Sequence, residues 1–362
     1  MNGWQRLMGL ISRSAQQYTH QFIPASLTDV PQNDTPVKEG EAYCRLWLSE
    51  MRLAKDVEWF QQRYPVVHTA TTFHYNQQPQ TIPYLAGPGQ IKELSENNLD
   101  KVIQCNFPLT PLFPLTQGVV QFQASLFSLE SDNYLRSFTN TLESLSELLP
   151  VPELSSVLKL VVPIYNGIAD LLSAGNGQLK LGYQQTFTPA GGGGSHDLRR
   201  GYIAVILASQ GTFDAGTLCV VQDSLRIGPK AGSFLADNRP LEKHSYMLFR
   251  WETQSEQDWE SLSAIKQLVH KAEEAVLMAR LDEARSLLAT LKVEIFRSPD
   301  LTKSDRRTMT TKLQAHLTEL GLQGARGLES MPSLYTIMQR PLPELSDTEQ
   351  AELDGLEQLF GT

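Results

Sequence analysis

The chain has 362 residues, a hydrophobic share of 41%, a charged share of 20% and a formal net charge of −9. This is material for one large or two ordinary domains with a full core, and the acidic balance argues against a general nucleic-acid binder, which carries basic patches. Cys44, Cys105 and Cys219 stand far apart with no CxxC pair, which argues against a disulfide framework or a cysteine zinc site and points to the reducing cytoplasm.

Residues 1–28 contain no acid, and their only bases, Arg6 and Arg13, interrupt the apolar run that a secretory signal needs. Trp4, Leu7, Met8, Ile11, Ala15, Tyr18 and Phe22 fall at helical spacing. The spacing predicts an amphipathic helix, docked on the protein's own core or presented to a partner or an interface. Residues 24–38 have turn and linker composition, so 1–38 reads as a segment apart from the body.

The body is expected over 39–258. Tyr43, Trp47, Met51, Ala54 and Phe60 give an apolar face to a second helix over 39–63, which Pro65 ends. Val66–Tyr75 is β-branched and aromatic and predicts a strand. Asn76–Pro79 reads as a turn, Thr81–Leu85 as the returning strand and Val102–Leu109 as a further one. Gly118–Leu129 and Gln178–Phe187 are strands that flank a long apolar insertion.

That insertion, 133–174, reads as a helical hairpin. Leu135, Phe138, Leu142, Leu145 and Leu149 stripe its first helix, and Pro150–Pro152 turns the chain. The second helix is apolar nearly all round, with Leu154, Leu158, Val161, Tyr165, Ile168 and Leu172 on one face. A membrane span needs about 20 predominantly apolar residues. Lys159, Pro163, Asn166 and Asp170 interrupt this one, so the hairpin reads as buried core, with triggered insertion into a membrane or partner as the alternative.

Beyond the hairpin, Tyr202–Ala208, Thr217–Val221, Ser224–Ile227 and Tyr246–Glu252 are strands separated by Gly-, Pro- and Asp-rich turns. Strands in succession without intervening helices predict an antiparallel sheet or sandwich. Residues 259–325 are helical. Ala264–Ala279 packs through Ile265, Leu268, Val269, Ala272, Val276 and Met278, and Asp282–Arg297 through Ala284, Leu287, Leu288, Leu291 and Ile295. The stretch 273–291, with small residues at Ala275, Ala284 and Ala289, resembles part of a tetratricopeptide repeat pair. It covers one hairpin, and no second copy recurs at the family's period. Thr302 caps a third helix, which Gly321 ends.

Residues 326–362 form a proline-containing acidic tail; from Pro341 onward it holds six acids and no base. Ser346 and Glu349 form a capping box. Leu353, Leu356, Leu359 and Phe360 give the helix behind it an apolar edge, suited to docking in cis or on a partner.

Candidate chemistry is sparse. Gly192 and Gly193, followed by Arg199 and Arg200, offer an anion cradle of amides and guanidiniums, although no phosphate-loop pattern accompanies them. Four glycines between strands read more simply as a hairpin loop. Ser195-His196-Asp197 is not a triad, because triad members converge from separated positions. His68 and His74 share one strand face; His244, His270 and His316 stand alone.

The sequence therefore predicts an α+β protein: a mainly antiparallel β-sheet or sandwich with a long helical-hairpin insertion, followed by a C-terminal helical segment. It assigns no catalytic residue, cofactor or metal. The expected function is a non-enzymatic interaction or scaffold component with a protein partner and no nucleic acid. Docking is expected through Trp4, Leu7 and Ile11 at one end and Leu353, Leu356, Leu359 and Phe360 at the other. The alternatives are a membrane-active effector that releases hairpin 133–174 under a trigger, and an enzyme of unfamiliar type.

Overall fold

The computed structural model describes residues 18–29, 36–54, 57–58, 61–87, 103–130, 154–158, 178–192, 196–209, 211–214, 216–229, 233, 235 and 237–322. Their strands are β1 (Thr19–Ile23), β2 (Tyr43–Arg52), β3 (Val57–Glu58), β4 (Gln61–Tyr75), β5 (Gln78–Ala86), β6 (Ile103–Pro108), β7 (Phe113–Pro114), β8 (Val120–Glu130), β9 (Gln178–Phe187), β10 (Gly201–Ile206), β11 (Leu218–Val221), β12 (Ser224–Ile227), β13 (Arg239–Pro240) and β14 (Tyr246–Gln254). The helices are α1 (Leu154–Leu158), α2 (Ser263–Leu277), α3 (Leu281–Arg297) and α4 (Lys303–Glu319). The chain is of mixed α+β class, with three antiparallel sheets and helices concentrated toward its C-terminus.

Two of the sheets share one core. The first runs β1-β10-β14-β2-β6, with β7 also on β2; the second runs β3-β4-β8-β9, with β5 on the other edge of β4. Cys44, Leu46 and Leu48 of β2 and Met247, Phe249 and Trp251 of β14 join Phe73 of β4, Phe122 of β8 and Leu181 and Tyr183 of β9 in a single buried cluster. Aromatic rings cross the interface: Phe122 meets Phe249 edge-on at 4.8 Å, Phe187 meets Trp251 at 5.8 Å, and Phe73 stacks on Phe113 at 4.1 Å. Each such pair adds about 0.5–1.5 kcal/mol beyond the area it buries. The arrangement is a face-to-face sandwich.

Most predicted strands are present. Asn76 and Gln77, at φ 49° and 62°, make the tight turn between β4 and β5, as a two-residue hairpin of matching twist requires. Pro65 does not end an element. It lies inside β4 opposite Ser128 of β8, beyond the last β4–β5 pair at Val67–Ala86, so its missing N–H leaves no β5 carbonyl unpaired.

The predicted helix over 39–63 is wrong: that stretch supplies β2, β3 and the start of β4. The strand's alternation was hidden by a change of phase at Ser49. Leu48 pairs with Phe249 and Glu50 with Leu248, which leaves Ser49 as the extra residue of a bulge. Before it, Cys44, Leu46 and Leu48 face the sandwich core; after it, Met51 and Leu53 do. Glu50 and Arg52 thereby turn to the outer face.

The N-terminal helix expected through Phe22 is also corrected at its end. Thr19–Ile23 is a strand paired with β10, from Thr19–Ile206 to Ile23–Tyr202. Val37 N–H donates to Leu198 O at 2.8 Å, so the part of segment 1–38 that is described belongs to the sandwich rather than standing apart from it. Of hairpin 133–174, only Leu154–Leu158 lies within the described residues. It is helical, with Leu154 and Val157 buried and Leu158 packed on the sandwich core. Residues 1–17 and 323–362 also lie outside the described residues. No helix among the described residues is long and apolar enough to cross a membrane.

The third sheet, β11-β12-β13, covers the outer face of the first. Tyr202, Ala204 and Ile206 of β10 and Tyr246 and Leu248 of β14 meet Leu218, Val220 and Leu225 there. Burial on both sides explains why β10 is apolar at every position.

The three long helices pack together and onto the sandwich. Ile265, Val269, Leu291, Ile295, Met309 and Leu313 share a cluster with Tyr43 and Leu112 of the β domain. Small residues at Ala272, Ala275 and Ala284 line the other end of the α2–α3 contact. Thr302 caps α4 as expected, its Oγ1 accepting from Asp305 N–H at 3.1 Å.

Candidate interaction surface

The outer face of the first sheet carries a connected set of ionisable groups. Turned outward by the Ser49 bulge, Glu50 is 1% exposed. Its Oε1 accepts from Ser224 Oγ at 2.9 Å and its Oε2 from Leu225 N–H at 2.7 Å. Burial raises its pKa, while these donors, Tyr246 and Arg226 pull it back. Two rows along, the guanidiniums of Arg250 and Arg45 lie 5.1 and 5.7 Å from the Trp47 ring, and Trp47 Nε1–H donates to Glu252. Asp223, on the left-handed β11–β12 turn with Gln222, accepts from Tyr202 Oη and lies 3.8 Å from Arg250. The acids here are engaged by groups from neighbouring strands, so the lattice fastens the third sheet to the first.

Single buried groups elsewhere also read as structural. His68 is 1% exposed, and burial lowers its pKa to about 4. His74 Nδ1 sits 2.9 Å from where a Cβ on Gly118 would fall. Cys44 and Cys219 are buried free thiols, and burial pushes Cys44 up to about 12. A cavity of about 610 Å³ is bounded by Phe213, Asp214, Asp237 and Arg239; another of about 380 Å³ is bounded by Trp259, Asp258, Asp305 and Lys312. Among the described residues no three His, Cys, Asp or Glu side chains are arranged to hold a metal ion.

His270 and His316 do not stand alone. Both meet Glu273: His270 Nδ1 lies 3.0 Å from Oε2 and His316 Nε2 2.7 Å from Oε1, so one carboxylate ties α2 to α4. Burial opposes charge on Glu273, but the two imidazoles outweigh it and hold the carboxyl below the ordinary range.

Of the exposed large apolar side chains among the described residues, all but Leu235 lie on the helical bundle. Phe296 is 59% and Val293 49% exposed on α3, and Leu277 and Met278 are 73% and 60% exposed at the end of α2. Met278 was expected to pack; instead it is the residue that caps α2, two positions beyond the buried Val276. On α3, Ala284, Leu291 and Ile295 are buried. At 3.6 residues per turn, Ala289, Val293 and Phe296 fall on the opposite side. The apolar stripe expected for core packing on α3 omitted Val293 and Phe296, and an apolar residue outside the packing stripe was the available signal.

Of the predicted docking residues, Trp4, Leu7, Ile11, Leu353, Leu356, Leu359 and Phe360 lie outside the described residues, as does Gly193. Gly192 sits in a tight turn, its N–H donating to Pro189 O at 3.0 Å. Arg199 bonds Asp197 at 3.0 Å, so its charge is already met, and Arg200 is half-buried. The pairing weakens the anion cradle. Compared with protein-family models, with curated proteins and with solved structures, the chain returns no match.

Proposed function

We propose that this protein is a non-enzymatic interaction component of a protein complex, in which a rigid β-sandwich carries a helical bundle whose α3 face binds a protein partner. The observation that carries the reading is the exposed row Ala289, Val293 and Phe296 on a helix otherwise well packed. Large apolar side chains grouped on one helix face mark docking sites, whereas scattered ones need no explanation. The buried acids support it from the other side: Glu50 and Asp305 spend their oxygens on donors that join structural elements. The terminal segments are proposed as further docking elements, and the cytoplasm as the compartment on the spacing of the cysteines.

Cross-linking of the full chain in its native cell extract tests this. Cross-links from Lys292 to one recurring protein are expected, and Phe296→Asp should remove them. A chain with no recurring cross-linked protein, or one whose cross-links survive the substitution, contradicts the reading.

A further inference from the structure

Two apolar surfaces are open on the bundle, and their charged borders differ. Leu277 and Met278 lie beside Glu274, Asp282 and Glu283, and Arg280 is occupied by both Glu274 and Glu283, at 3.3 and 2.9 Å. Val293 and Phe296 are bordered on α3 by Lys292 and Arg297, neither with an ion-pair partner among the described residues, and by one acid, Glu294. The first surface repels an acidic helix and the second attracts one.

The chain itself contains such a segment. Leu353, Leu356 and Phe360 recur at steps of three and four behind the Ser346/Glu349 capping box, among acids at Glu349, Glu352, Asp354 and Glu357. The described chain ends at Leu322, buried against Val276 at the far end of the bundle. The 23 residues 323–345 between Leu322 and Ser346 reach as far as ~75 Å when extended, against ~25 Å for the length of α3. The tether is therefore long enough, and it sets a local concentration of roughly millimolar, which a free second copy at micromolar concentration does not match.

We infer that the acidic tail occupies the α3 face in cis, seating Leu353, Leu356 and Phe360 on Ala289, Val293 and Phe296 with its acids toward Lys292 and Arg297. This rests on the reading of α3 as a docking face and adds its regulation: the tail covers the face until a partner displaces it. The class of partner follows from the same borders, an amphipathic acidic helix that competes with the tail.

Hydrogen exchange on the full chain tests the inference. Amides over 346–360 should exchange about tenfold or more slower than an unstructured peptide. Val293→Asp with Phe296→Asp, and separately Lys292→Glu with Arg297→Glu, should remove that protection. Val293, Phe296 and Arg297 are exposed and Lys292 is half-buried; an unchanged far-UV circular dichroism spectrum of each pair checks that the fold is retained. Unprotected tail amides in the wild type, or protection untouched by both pairs, overturn it. Protection that rises with chain concentration from about 1 to about 50 µM assigns the face to a second copy and overturns docking in cis. The outcome is separable from the proposed function. Deleting 341–362 should strengthen partner cross-linking if both hold; cross-links unchanged by the deletion keep the docking face and reject the tail.

Discussion

Tyr43 of β2 donates its hydroxyl proton to Asp305 Oδ2 of α4 at 2.7 Å and accepts from the Thr302 N–H at 3.0 Å. Residues 262 positions apart thus share one buried hydroxyl, at the point where the helical bundle meets the sandwich. Gln257 N–H donates to the same Asp305 oxygen at 2.9 Å. Burial raises the pKa of Asp305, and these two donors pull it back.

Tyr43→Phe should therefore cost about 2–3 kcal/mol, because it removes one donor from a buried carboxylate and leaves the Thr302 N–H without its acceptor. Urea denaturation measures the loss, and hydrogen exchange should show it first in 303–319. A midpoint equal to that of the wild type would mean that the bundle is held by its apolar contacts alone.

Glu50 makes a second joint, between β2 and the third sheet. Glu50→Ala strands the Leu225 N–H and the Ser224 hydroxyl inside the protein, and about 3 kcal/mol of destabilisation is expected. Glu50→Gln keeps one acceptor oxygen and should cost less than Ala. Equal losses in the two variants, read from denaturation midpoints, would show that the hydrogen bond Gln retains contributes nothing.

His68 gives a pH dependence of defined sign. Its pKa falls from 6.5 to about 4 in the folded protein, so the unfolded chain takes up the proton first. The stabilisation is complete above pH 6.5 and is lost as pH falls toward 4, by about 3 kcal/mol. His68→Leu should flatten stability over this window relative to the wild type. Parallel stability curves for the two proteins between pH 7 and pH 4.5 would refute it.

Much of the fold was legible from local pattern. Gln178–Phe187 alternates toward a single core, Ser224–Ile227 is bracketed by turn residues, and Thr302 with Asp305 announces a helix start. β2 was not legible, because the Ser49 bulge breaks its alternation and both faces are covered: Tyr43 by the bundle and Glu50 by the third sheet. The end of β1 was missed because Tyr18 and Phe22 continue a helical spacing, while β10 supplies the pairing that local sequence does not encode. Nothing in the local pattern marks Glu273. Its two imidazoles converge only when α4 lies against α2, a tertiary contact between positions 43 apart. The exposed α3 row was present in the pattern as the apolar residues that the packing stripe left over.

Substitutions on that row should separate folding from binding. In a chain lacking 341–362, Val293→Asp and Phe296→Asp each change an exposed position and should alter stability by no more than about 0.5 kcal/mol. A larger loss in that shortened chain, measured by denaturation, would mean that the side chain packs on the body and is no free docking row.

The most direct test of the docking face is quantitative recovery of partner protein with the full chain and with Phe296→Asp, expressed equally and matched in unfolding midpoint. The substituted chain should lose its partner while its fold is unchanged. Recovery of the same partner at the same yield would contradict it.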